Sequence, residues 1–134
     1  MADIYREIVR ISAEGEEAAL VTVVSASGST PREEGAKMLV RPDGSTLGTI
    51  GGGSIENQVI KEAIEIIRKG RPQHLSYHLR EGEELGMICG GDVEVFVEPI
   101  LPSSTLYIFG GGHIALPLAK MAKLVGFRGV VVED

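Results

Sequence analysis

The chain has 134 residues, 43% of them hydrophobic and only 4% aromatic, with no Trp. That allows one ordinary domain or two small ones with a core of Val, Ile, Leu, Met and Ala, and it excludes wholesale disorder. A net charge of −6 with no Arg/Lys stripe excludes the counterion release that binds nucleic acid or an anionic membrane.

Asp3 to Glu14 reads as an amphipathic helix with Ile4, Ile8 and Ile11 on one face. The Val-rich stretch Ala18 to Ala26 predicts a buried strand, and Ser27 to Gly35 a polar loop of the kind that binds ligands. Arg32 and Lys37 there can bring positive charge to a phosphate, although a solvated loop is the plainer reading of Lys37. Ala36 to Arg41 and Thr46 to Ile50 predict a hairpin around Pro42-Asp43-Gly44-Ser45. A helix follows from the glycine run at Gly51 to about Lys69, with Ile55, Val59, Ala63, Ile66 and Ile67 as its apolar stripe. His74 to Leu79 and Val93 to Val97 read as strands, and Gly82 to Gly91 as a glycine-punctuated loop carrying Cys89. Pro99 and Pro102-Ser103-Ser104 suggest a linker. Beyond it come a strand (Thr105 to Phe109), a helix (His113 to Leu124) and a strand (Gly129 to Glu133).

No segment reaches the roughly 20 apolar residues of a membrane span. The charged start, Met1 to Glu7, lacks a signal peptide's apolar stretch. A single Cys precludes an internal disulfide. The expected compartment is the reducing cytoplasm.

Between the last two strands, Gly110-Gly111-Gly112-His113-Ile114-Ala115 fits the dinucleotide fingerprint G-x-G-x-x-G/A. Gly110 permits the sharp turn, Gly112 lets backbone approach a pyrophosphate, and Ala115 keeps helix and strand close. An acid roughly 20 residues on reads the ribose, and Glu133 and Asp134 stand at that distance. The expected fold is therefore α/β: a small α+β domain (1–101), then a partial Rossmann-like βαβ unit (105–134). Two parallel strands and one helix leave sheet edges open. The unit is expected to be part of something larger, or to be completed in a homo-oligomer. Gly110, Gly112, Ala115 and Asp134 are the candidate nucleotide residues.

In the first domain, Gly51-Gly52-Gly53 stand where a strand becomes a helix, which offers backbone N–H groups to an anion, with Ser54 as a helix cap. A tight turn without a ligand explains the same residues. Cys89 lies beside Gly90 and Gly91; a lone Cys is more often a buried small hydrophobe, but glycines beside it let a ligand reach the sulfur. His113 can face a ligand or solvent. His74 and His78, four apart in a strand, stand about 13 Å apart and cannot share a metal. No zinc-like cluster and no nucleophile–base pair is evident.

Five segments together resemble the XdhC/CoxI family, accessory proteins of xanthine dehydrogenase and carbon monoxide dehydrogenase. They are Val23 to Arg32, Gly35 to Met38, Gly48 to Glu56, Met87 to Gly91 and Phe109 to Ile114, in the family's order and spacing. The resemblance implies a chaperone that binds molybdenum cofactor (molybdopterin or its dinucleotide), aids its sulfuration and inserts it into an apo molybdenum hydroxylase. A cysteine desulfurase is an implied partner. It implies a cofactor site of Arg32, Gly51, Gly52, Gly53, Ser54, Glu56, Cys89, Gly90 and Gly91, with Cys89 as the catalytic and metal-touching thiol. The family's Rossmann domain is longer than the piece here. The alternative is an NAD(P)- or nucleotide-dependent oxidoreductase using the Gly110 turn.

Overall fold

The computed structural model describes residues 2–29, 33–79 and 90–133. The chain is of mixed α/β class and divides into two compact units, Met1–Leu101 and Pro102–Asp134.

The first unit contains α1 (Ala2–Glu14), β1 (Ala18–Ser29), β2 (Lys37–Val40), β3 (Thr46–Gly48), α2 (Gly53–Lys69), β4 (Gln73–Leu79) and β5 (Gly90–Ile100). The strands form one antiparallel sheet in the order β3-β2-β1-β5-β4. Strand alternation divides the apolar residues between two helices. Ala19, Val21, Val23, Met38, Val40, Val93, Val95 and Val97 pack under the stripe Ile55, Val59, Ala63, Ile66 and Ile67 of α2. Ala18, Leu20 and Leu39 point the other way and meet Ile4 and Ile11 of α1. Each such Ile, Leu or Val stabilises the fold by about 1.5–3 kcal/mol when fully buried.

The pairing of β1 with β5 passes from Val23↔Val95 to Ser25↔Glu94, so Val24 is an extra residue in β1. This β-bulge reverses the facing of everything beyond it. Ala26 and Gly28 thereby stay on the α2 face, opposite Val93 and Gly91. Pairing also lengthens both strands past their expected ends. β1 continues to Ser29 rather than stopping at Ala26, and β5 starts at Gly90 rather than Val93, because each supplies the other's backbone partners.

The second unit contains β6 (Thr105–Phe109), α3 (Ala115–Leu124) and β7 (Arg128–Val132). β6 and β7 pair in parallel, from Thr105↔Arg128 to Phe109↔Val132. The helix begins two residues later than expected, at Ala115, and His113 lies in the preceding turn. In this unit only Ile108, Ala115 and Ala122 are buried among the described apolar side chains, while Phe109 and Ile114 are each 79% exposed.

On α1, Arg10 is the hub of an ion-pair cluster. Its Nη2 lies 2.6 Å from Glu7 Oε1, and its Nη1 donates to Glu14 and Glu16. Arg41, next to β2, reaches Glu7 Oε1 at 3.3 Å and so ties α1 to the hairpin. The hydrogen bond from Arg10, assisted by Arg41, holds the Glu7 carboxyl down at about 2. A depressed carboxyl contributes stability that is complete above its unfolded value of 4.5 and is lost as pH falls towards about 2. The melting temperature of Glu7→Gln should therefore fall less steeply than that of the wild type across this window, and lie below it at neutral pH. Parallel melting curves for the two proteins would show that the pair contributes nothing.

Candidate functional site

The antiparallel order brings one end of the sheet together from four strands. β1 finishes there at Ser29, β4 at Leu79 and β3 at Gly48, and β5 begins there at Gly90. The chain leaving β3 turns through Thr49–Gly52 into α2, which lies on the face that carries Gly28 and Gly91. The glycine run and the start of β5 thus share an end and a face of the sheet. They stand at different levels: Gly48 is level, through Met38, with Val21, whereas Gly28 and Gly91 lie farther along β1.

The turn into α2 depends on Gly51, Gly52 and Gly53, whose φ values are +119°, +78° and +79°. Gly52 also has ψ −170°, a region essentially closed to residues with a side chain. A Cβ on Gly52 would meet nothing within 4 Å. Gly52, which has no side chain to cap with, is the N-cap of α2; Ser54, expected as the cap, lies instead within the first turn.

Glu56 is the residue that holds this turn. Its Oε1 accepts a hydrogen bond from Thr49 Oγ1 at 2.6 Å and from the Ile50 backbone N–H at 3.0 Å. Thr49 Oγ1 in turn accepts the Gly51 N–H at 3.1 Å. Glu56 therefore supports the loop, and two of the loop's amides are taken up internally rather than presented to a ligand. Thr49 is a residue that sequence reasoning missed. Its signal is a hydroxyl before the glycines paired with an acid in the following helical turn, as in a capping box.

At the head of β5, a Cβ on Gly91 would lie 2.1 Å from the Ser27 carbonyl oxygen and 3.3 Å from the Gly28 Cα. The two strands meet there without side chains on the α2 face. Lys37, whose plainer reading is a solvated position rather than a phosphate contact, donates to Thr22 Oγ1 at 3.3 Å. Arg32, Cys89 and Asp134 lie outside the described residues.

On the opposite face, His78 Nδ1 lies 2.7 Å from Asp92 Oδ1, and His74 Nε2 lies 3.5 Å from Glu94 Oε2. These are exposed cross-strand pairs, in keeping with a sheet-surface reading of both histidines. No three His, Cys, Asp or Glu side chains gather as metal ligands among the described residues. A depression of about 250 Å³ by α1, lined by Glu16, Glu17, Arg41 and Asp43 among others, contains none of the sequence-predicted site residues. In the second unit, two open depressions of about 410 and 460 Å³ flank the glycine turn. Gly112 and His113 line both, and Gly110 and Ala115 line the smaller.

The profile of the XdhC and CoxI family matches residues 11–78, from the end of α1 through β4. The chain belongs to this family. Among its relatives, the uncharacterized protein YqeB of Escherichia coli (strain K12) is 35% identical over 133 residues, covering 98% of this chain and 24% of that protein. The molybdenum cofactor insertion chaperone PaoD of the same organism is 32% identical over 113 residues, covering 79% and 35%. A probable xanthine dehydrogenase subunit from Bacillus subtilis (strain 168) is 32% identical over 89 residues, covering 63% and 27%. The chain thus spans about a quarter to a third of the length of these relatives. In fold it is similar to a xanthine dehydrogenase from Bacillus halodurans, with a TM-score of 0.57 at 19% identity, over 94% of this chain and 61% of that one. The profile match takes in the Gly48–Glu56 turn, so the Thr49–Ile50–Glu56 bonds lie within the family's matched region.

The close approach at Gly91 gives a direct check. Gly91→Ala leaves an ordinary φ unstrained but drives a methyl into the Ser27 carbonyl, so it should cost about 1–3 kcal/mol or more of unfolding free energy in urea titration. A loss under about 0.5 kcal/mol, the size of an ordinary surface change, would mean the strands separate freely there.

Proposed function

We propose that this chain is part of an accessory protein that binds molybdenum cofactor and passes it to a molybdenum hydroxylase. The reading is supported by membership of the XdhC and CoxI family and by similarity to PaoD, a molybdenum cofactor insertion chaperone. The observation that carries it is the turn of three positive-φ glycines at the head of α2, held in place by Glu56.

The donor set suits this cofactor. Its phosphate end is an anion, and the positive end of a helix beside bare glycine backbone favours one. Its metal end is soft, and a thiolate is the matching donor. The turn Gly51-Gly52-Gly53-Ser54 would border the phosphate end, with Arg32 adding charge. Gly90 and Gly91 would border Cys89, the thiol that touches the metal and takes part in sulfuration, with a cysteine desulfurase as the source of sulfur. Glu56 acts through the loop as a positioning residue. The cofactor supplies the redox chemistry once it is in the hydroxylase; the chain's part is to hold and release it. An apo molybdenum hydroxylase is the receiving partner, the cytoplasm the compartment, and a homo-oligomer the working form. No helix among the described residues is long and apolar enough to cross a membrane.

The test is to incubate the purified chain with released molybdenum cofactor, remove free cofactor by gel filtration, and measure retained molybdenum. The wild type should retain it. Cys89→Ser, which exchanges only sulfur for oxygen, and Gly52→Asp, both followed for stability by thermal melting, should each lower retention by roughly tenfold, the equivalent of one good interaction. Equal retention by folded variants and wild type would remove these residues from the site.

A further inference from the structure

The first unit has three aromatic residues, Tyr5, Tyr77 and Phe96. Tyr5 is exposed on α1, and Phe96 lies opposite Thr22 and His74 on the sheet face away from α2. Tyr77 is on the α2 face, where it packs half-buried against the core. It is level with Val93 and, across β5, with Ala26; the next pair outward on that face is Leu79 with Gly91, beside Gly28. Two residues of strand, roughly 7 Å, therefore separate Tyr77 from the glycine pair at the end of the sheet. Its hydroxyl makes no hydrogen bond among the described residues. A Tyr that buries its ring usually gives its O–H a partner. Burial pushes the Tyr77 phenol up, with the Glu62 carboxylate on α2 adding to this, so the group stays a proton donor at neutral pH.

From this unpaired phenol beside the Gly28–Gly91 pair, we propose that Tyr77 is a specificity residue that binds the flat ring end of the ligand. Glycines in a strand let a ligand lie close along the backbone, and here they stand next to an aromatic edge. The Tyr77 ring flanks the heterocycle, and its hydroxyl donates to a ring carbonyl or ring nitrogen. Small-molecule sites combine an apolar or aromatic wall with a few placed polar groups in this way. The ligand chemistry is a planar nitrogen heterocycle with a ring carbonyl. A pterin and a guanine base share it. The inference rests on the cofactor reading of this end of the sheet, and under that reading the ring is the pterin.

The experiment titrates the 134-residue chain with free pterin, followed by pterin fluorescence, and with guanosine, followed by calorimetry. Wild type, Tyr77→Phe and Tyr77→Ala are compared, each checked by thermal melting, and all three are put through the molybdenum-retention assay. At least one ring should bind the wild type, and the tighter of the two identifies the source. Tyr77→Phe keeps the packing and removes only the hydroxyl, so it should weaken binding by roughly three- to tenfold. Tyr77→Ala also removes the ring and should weaken it by roughly tenfold or more. Absence of binding by both rings would overturn the proposal. So would a folded Tyr77→Phe that binds like the wild type, the result for a tyrosine that only rims the core. Ring binding that depends on Tyr77 in a chain that retains no molybdenum would refute the cofactor reading and leave this one standing. Equal molybdenum retention by all three proteins would refute this one and leave the cofactor reading standing.

Discussion

A carboxylate in the first turn of α2 holds the strand–helix junction on which the proposed cofactor site depends. Three successive positive-φ glycines make a loop that is costly to order, because glycine loses more conformational freedom on folding than any other residue. Glu56 offsets that cost by accepting both the Thr49 hydroxyl and the Ile50 amide, while the buried Ile50 side chain anchors the loop from beneath. The result is a fixed length of bare backbone where a flexible tether would otherwise be. A cradle for an anionic ligand needs this rigidity, since order already established need not be supplied by binding energy.

The second constraint is the bulge at Val24. One extra residue in β1 restores Ala26 and Gly28 to the α2 face, so that glycine meets glycine where β1 ends and β5 begins. On the other face, the same alternation gathers Ser25, Ser27, Asp92, Glu94, His74 and His78. One end of the sheet is thereby smooth on the side of the glycine turn and polar on the other. The sheet's asymmetry follows from strand period and a single insertion, without any special residue type.

Much of this is legible in the residues. The helical stripes of α1 and α2, the hairpin around Pro42–Ser45 and the βαβ order of the second unit follow from hydrophobic period and turn chemistry, and the structure has each of them. Strand ends are not legible, because Ser27 to Ser29 and Gly90 to Asp92 carry no apolar pattern and become strand by pairing with one another across a long stretch of chain. The role of Glu56 is hidden for a related reason. In sequence it is an acid near a glycine run, and only the path of the turn reveals that its oxygen is taken up by Thr49 and Ile50. Ser54 misleads in the opposite sense, since a good capping residue stands inside the helix rather than at its boundary.

Amide hydrogen exchange at Ile50, in the wild type and in Glu56→Gln, tests whether the carboxylate holds the turn. If it does, the Ile50 amide should be strongly protected in the wild type and exchange roughly tenfold faster or more in the variant, the loss expected for one hydrogen bond, with the amides of the central β1–β5 pair unchanged. An Ile50 amide that exchanges freely in the wild type, or equally slowly in both proteins, would contradict it.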